Sequence, residues 1–370
     1  MSDDKINSSI AKPSEASTNQ KGASRQDYDM VDTDEDLRKY PPLCDALATC
    51  RDAIMNVYDP SDKSALRNQR RHRLTTIIAA ACGTAAVLSA IIYLSGLSPT
   101  PWPIWIEVSA MVVASLAVVL GLIQALQTNW LVQRHKAERC RLLKFRFLID
   151  PDLWCNEPSK KTQLETQLHK EVKEINNLTK QSLPNWIKKL DVTEGASAVK
   201  RIENCEVPKG TLQALVDYYG DKRINEQKRY FDNRARRNEG FNKYTRHLHS
   251  VLFFLSALAV LIHFSMDIFF KAGNGIHPFS VLLVVVAASL PVVGAGIRTY
   301  RSAYEFARSA SLFRARHQAL ERLSNWLDEE IAEKDPSEKE ILLALWHCEQ
   351  LLETEHREWL RLMTEVEWFG

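Results

Sequence analysis

The chain lacks the loops that carry common catalytic and cofactor chemistry. There is no P-loop, no GxSxG elbow, no HExxH helix and no GxGxxG turn behind a strand; Gly273-Asn274-Gly275 is a lone glycine pattern in a polar turn. These absences argue against an enzyme and leave no cofactor to expect. The seven cysteines contain no CxxC pair, and His347 beside Cys348 has no partner at ligand spacing, so neither a zinc module nor a disulfide framework is expected and the thiols are read as reduced. No β-rich run of useful length occurs, so the fold class is all-α.

What the chain does hold is long apolar runs. Val251 to Phe270 and Phe279 to Ile297 flank the short turn Lys271 to Pro278, and Thr75 to Leu97 and Ile104 to Leu126 flank the turn Ser98 to Pro103. Each is about twenty residues, enough at 1.5 Å per residue to cross roughly 30 Å of hydrocarbon. The pattern predicts an integral membrane protein with two transmembrane helical hairpins and long helical extensions. Arg67, Arg70, Arg71 and Arg73 precede the first run, and Arg134, Lys136, Arg139, Arg141, Lys144 and Arg146 follow the second. Arg234, Arg236, Arg237, Lys243 and Arg246 precede the third, Arg298, Arg301 and Arg308 follow the fourth, and the two turns offer only Lys271. By the positive-inside rule both termini and the middle region lie in the cytoplasm. Trp102 and Trp105 at the outer end and Trp130 at the inner end read as interfacial anchors.

The second run of each pair shares a motif. Ala114-Ser115-Leu116 followed by Val118-Val119 matches Ala288-Ser289-Leu290 followed by Val292-Val293, an offset of 174 residues that Arg73 and Arg246, and Trp186 and Trp359, nearly share. A tandem duplication follows. Residues 1–35 are polar and too poor in large apolar side chains to repay the entropy of ordering, so they read as a disordered tail without a secretory signal. Residues 40–190 form the first two-transmembrane unit, 191–209 a linker, and 210–370 the second unit.

Helices are expected from Leu43 to a break at Asp59-Pro60 and again from Ser61 into the first run, while Trp130 to Leu148 extends the second run. Leu164, Leu168, Val172, Ile175 and Leu178 mark an amphipathic helix ended by Pro184. A break at Gly220 precedes a helix from Arg223 to His249, and the fourth run continues to Leu327. Leu345, Leu352, Trp359 and Val366 recur every seven residues, with Ile341, Cys348 and Leu362 beside them. Docking within the chain or between copies would both use that face.

Arg223-Ile224, Gln227, Tyr230-Phe231, the two-helix span, the Arg301 to Trp326 continuation and the closing Glu353 to Trp359 run together resemble the SLATT superfamily, two-transmembrane effector domains of bacterial nucleotide-signalling systems. The resemblance covers residues 210–366 well and 40–190 more loosely. It implies a pore-forming or membrane-perturbing role in bacterial defence at the inner membrane, carries no catalytic residues, and implies a cytoplasmic sensor or nucleotide-signalling partner. The doubled unit and the lack of a recognisable sensor domain depart from the family layout.

Ionisable and backbone-loosening residues inside the runs are the candidate site. His263 and Asp267 stand one turn apart in the third run, and Glu107 lies at a similar depth in the second. Carboxylates ringed in a homo-oligomer would favour cations, whereas shallow ones would merely reach interfacial water. Pro291 with Gly294 and Gly296 could form a gate or kink in the fourth run, and small residues such as Ala114 and Ala117 could simply let helices approach. The alternative to a pore is a non-conducting scaffold whose cytoplasmic helices recruit a partner. The basic flanks lack aromatic interleaving and suit a lipid surface better than nucleic acid.

Overall fold

The computed structural model describes residues 28–96, 100–188, 199–202, 207–269, 278–304, 306–333 and 337–365. Every regular element among them is helical. A short helix α1 (Asp34–Lys39) leads into α2 (Cys44–Leu94), α3 (Trp102–Ile123), α4 (Leu126–Ile149), α5 (Pro158–Asn176) and α6 (Ser182–Lys188). The second half holds α7 (Lys209–Tyr219), α8 (Asn225–Arg246), α9 (Leu248–Phe269), α10 (Pro278–Tyr304), α11 (Phe306–Glu333) and α12 (Glu338–Glu365). Two capping boxes set helix starts. Thr33 Oγ1 accepts from the Asp36 amide while Asp36 accepts from that of Thr33, and Ser337 and Glu340 repeat the exchange ahead of α12.

Four helices are long and apolar enough to cross a membrane, and no more than 17% of the apolar window of any of them is buried among the described residues. Their outward faces therefore stay apolar and uncovered, as Leu116, Phe253, Phe254 and Leu261 show. α3 packs along the apolar end of α2, α9 packs along α10, and α10 meets α2. At that last junction a Cβ on Gly296 would lie 3.0 Å from Thr84 Oγ1. Away from the apolar runs, α4 returns along α2, α11 lies on α8, and α12 lies on α4. Leu47, Ile54, Phe145, Leu148, Leu215, Leu320, Leu345 and Cys348 belong to one buried cluster there.

The helix boundaries depart from the sequence expectation in four places. Pro60 does not break its helix: α2 runs 51 residues through it. A mid-helix proline costs about 3 kcal/mol, but Val57, Tyr58, Ser61 and Asp62 on both sides of it are buried, and that packing holds the helix together. The opposite occurs after the second run. Ala125 adopts a left-handed φ of 44° between α3 and α4, so Trp130 to Leu148 is a separate helix, not an extension. Asn129 secures the corner by donating to the Gln124 carbonyl at 3.0 Å. Pro184 sits inside α6, while α5 already ends at Asn176. Gly220 opens a π-helical turn to Ile224 that joins α7 to α8 without a break.

The heptad face of α12 docks within the chain, with Leu345, Cys348, Leu352 and Leu362 buried. Residues 1–27 lie outside the described residues, and within 28–35 the chain is exposed at Tyr28, Val31 and Thr33 to Glu35 but not throughout. Asp29 and Met30 are buried at 1% and 3% exposure.

Candidate functional site

Asp29 is buried because four cations are buried around it. Arg141 and Lys144 on α4, and Lys222 and Arg223 on the π turn, are each no more than 3% exposed. Charges taken out of water need close partners, and an unpaired one costs several kcal/mol. The N-terminal segment supplies them. Asp29 Oδ2 lies 2.8 Å from Arg141 Nε and 3.4 Å from Arg223 Nη1. Lys144 Nζ reaches Asp32 at 2.8 Å and donates to the carbonyls of Asp29 and Met30. Lys222 Nζ pairs with Asp36 at 2.6 Å and sits 3.9 Å from the centre of the Tyr28 ring. Glu349, fully buried on α12, takes two parallel 2.8 Å hydrogen bonds from Arg223 and a 2.6 Å bond from the Tyr219 hydroxyl.

Arg141 and Lys144 were expected on a membrane-facing basic flank, and Arg134 beside them is equally engaged, 3.3 Å from Asp62 and 2.5 Å from Glu138. This part of the flank is an ionic core. Trp130, expected at an interface, is 7% exposed, stacked on His72 and edge-on to Trp359 with ring centres 5.8 Å apart.

An imidazole pair lies next to this core. His135 Nδ1 and His356 Nε2 are 3.0 Å apart, with Trp186 against both rings. Burial, aided by the Arg134 and Arg139 guanidiniums, pushes His356 down to about 4. Burial and the neighbouring His356 hold His135 well below the ordinary histidine range. Both rings are therefore neutral at pH 7, and one N–H is shared between them. Burial also raises Glu355, helped by the Glu138 carboxylate, to about 8. Burial alone would raise Glu138 too, but Arg134 and Arg141 hold it far below the usual carboxylate range. Two carboxyls on adjacent helices thus carry different charge at neutral pH.

Arg134, Glu138, Glu355 and His356 line a cavity of about 770 Å³ between α2, α4, α8, α11 and α12. Its lower wall holds Asp29, Glu138 and Arg141, and its upper wall holds His72, Arg73, Arg237 and Phe241. Ile77, two residues inside the first apolar run, marks the upper limit, so the cavity ends where the membrane-length helices begin.

The residues singled out from the sequence lie elsewhere. Glu107 is half-buried on α3 and has no ion-pair partner among the described residues. His263 Nδ1 lies 2.8 Å from Ser280 Oγ on α10, a bond within the α9–α10 pair. The side chain of Asp267 lies outside the described residues. Pro291 stands inside continuous α10. Gly294 faces the His249 carbonyl, 3.6 Å from where a Cβ would sit, and Gly296 touches Thr84, so both lie at helix contacts. The ionic core had one legible signal, Glu349, a charged residue on the apolar face between Leu345 and Leu352. Asp29 had none.

Cys155 is disulfide-bonded, to a partner outside the described residues, which departs from the expectation of reduced thiols. Spacing along the chain does not encode which cysteines meet in space. No family model, curated protein or solved structure matches this chain.

Proposed function

We propose that the chain is a multi-pass membrane protein that acts on the membrane it spans, assembling into an oligomeric pore. The observation that carries this reading is the sparse burial of the four apolar helices, at most 17% of any window, which leaves faces for lipid and for further copies. Four such helices in one copy enclose no polar path, so conduction requires several copies. The charge asymmetry supports a topology with both termini in the cytoplasm. The parallel order of helix, two apolar runs and returning helix in each half supports a tandem duplication. A role in bacterial inner-membrane defence rests on the SLATT resemblance, as does a cytoplasmic sensor partner.

Bilayer recording on the purified full chain tests the pore. Wild type should conduct, and Asp267→Asn should lower cation current with insertion intact. A silent wild type removes the pore. The second reading, a non-conducting scaffold, is favoured by the His263 to Ser280 hydrogen bond, which satisfies that polar group inside one helix pair without a water-filled path.

A further inference from the structure

The two ends of the cavity differ in charge balance. At the lower end every lining carboxylate but one faces an arginine: Asp29 meets Arg141, Glu138 meets Arg134 and Arg141, and Glu226 meets Arg229. The exception, Glu355, is protonated at neutral pH. At the upper end α8 brings Arg234 and Arg237 to the wall, with no lining carboxylate beyond those four. Arg234 lies over the Tyr230 ring, 5.4 Å from its centre, and neither it nor Arg237 has an ion-pair partner among the described residues. Positions 234, 237 and 238 share one face of α8, so Asn238 adds an amide donor beside the two guanidiniums.

We infer that the upper half of the cavity binds a phosphate-bearing anion. Two guanidinium forks and an amide N–H group on one face of α8 match an anion with several oxygens, and arginine binds phosphate in two-pronged fashion. The whole cavity, about 770 Å³, suits a ligand of tens of atoms whose anionic group occupies the upper half. Ile77 and Phe241 at the upper rim are 46% and 42% exposed, giving an apolar exit beside the first run. An acidic phospholipid with its headgroup among the arginines and its chains past Ile77 has this chemistry. So does a free phosphate compound entering from the aqueous side. The lipid source rests on the membrane reading above, while the phosphate chemistry does not, and neither depends on conduction.

The full chain, reconstituted in phosphatidylcholine vesicles with or without phosphatidylglycerol and re-extracted, would be examined for retained lipid by native mass spectrometry. In parallel, the detergent-solubilised chain would be titrated with inorganic phosphate and pyrophosphate, following the fluorescence of Trp130 and Trp359 in the cavity wall. Preferential retention of phosphatidylglycerol supports the site and assigns it to lipid. Saturable binding of phosphate or pyrophosphate supports it and assigns a free anion. In either case Arg234→Gln with Arg237→Gln should weaken binding roughly tenfold or more, the loss of about one charge-assisted contact. Arg236→Gln, which removes an exposed charge outside the cavity, should leave it unchanged. Binding of neither probe, or equal binding by wild type and the double variant, overturns the inference. If the double variant loses helical circular dichroism, Arg237→Gln alone, at an exposed position, decides by the same criteria.

Discussion

Arg223 and Glu349 form a fully buried two-pronged ion pair, Nε and Nη2 each 2.8 Å from a carboxylate oxygen, joining the π turn after α7 to α12 across 126 positions of sequence. The Arg223 guanidinium also lies 4.6 Å from the centre of the Phe145 ring of α4. Three helical layers thus converge on one charge pair. Arg223 is among the residues carrying the SLATT resemblance, and its bonds to Glu349 and Asp29 are structural.

Removing one partner is the sharp test of that role. Glu349→Ala leaves a buried guanidinium with only the longer Asp29 contact, and should destabilise the fold by about 3–5 kcal/mol, whereas replacing both residues with apolar ones should cost less. Chemical denaturation of the full chain in detergent, comparing Glu349→Ala with Arg223→Met plus Glu349→Leu, measures this. Equal losses would mean that the cost lies in packing and not in the unpaired charge.

The imidazole pair and Glu355 predict a stability maximum near pH 6.5. His135 and His356 titrate lower in the fold than unfolded, so below about pH 6.5 the unfolded chain takes up protons first and stability falls as pH drops toward 4. Glu355 titrates higher in the fold, so its stabilising contribution is complete below its unfolded value of about 4.3 and is lost as pH rises toward 8. Each group contributes at most about 1.4 kcal/mol per pH unit within its window. Between about 4.3 and 6.5 the two histidines outweigh the one carboxyl; above that, the carboxyl acts alone. Glu355→Gln should flatten the alkaline limb and steepen the acid limb between about 4.3 and 6.5, where the carboxyl no longer opposes the histidines, as read by denaturation midpoints from pH 4 to 9.

Gly296 and Gly294 separate in their tolerance of side chains. A Cβ at 296 would press on Thr84 at 3.0 Å, while one at 294 meets only ordinary contacts of 3.6–3.8 Å. Gly296→Val should cost about 1–3 kcal/mol by overpacking, and Gly294→Ala should be near neutral. Thermal unfolding in detergent distinguishes them, and Thr84→Ala should partly rescue Gly296→Val.

Native cysteines make poor topology reporters, because Cys50, Cys140 and Cys348 are at most 1% exposed and burial pushes each thiol up to about 12. Exposed positions serve better. Ser159→Cys on α5 should resist an impermeant maleimide in intact cells, and Thr100→Cys between α2 and α3 should react. The reverse pattern would invert the orientation and place Cys155, with its disulfide, in the oxidising compartment where such bonds persist.

The apolar runs were plain in the sequence because twenty consecutive apolar residues have few other readings, and α12 was plain because its heptad repeats. The ionic core was not. A lysine or arginine after an apolar run looks the same whether it faces a membrane surface, as the positive-inside pattern assumes, or a carboxylate more than a hundred residues away, as Arg141 and Lys144 do. Asp29 sits at the end of a polar stretch that composition assigns to a tail, and nothing local signals that two buried arginines need it. Pro60 and Ala125 show the same limit at the backbone: tertiary packing carries α2 through a proline and turns the chain at an alanine.

The contact between Gly296 and Thr84 also has a bearing on bilayer thickness. Gly296 stands one residue from the end of its apolar run, whereas Thr84 stands nine residues into its own, an axial step of roughly 12 Å at about 1.5 Å per residue. Two runs of similar length offset by that much do not share one flat slab of hydrocarbon unless the helices lean or the lipid deforms around them. Within the membrane reading, a thicker bilayer covers more of the staggered pair, and a thinner one is met by helix tilt or by drawing Gly296 away from Thr84. On that reading the stagger couples the α2–α10 junction to the thickness of the surrounding lipid.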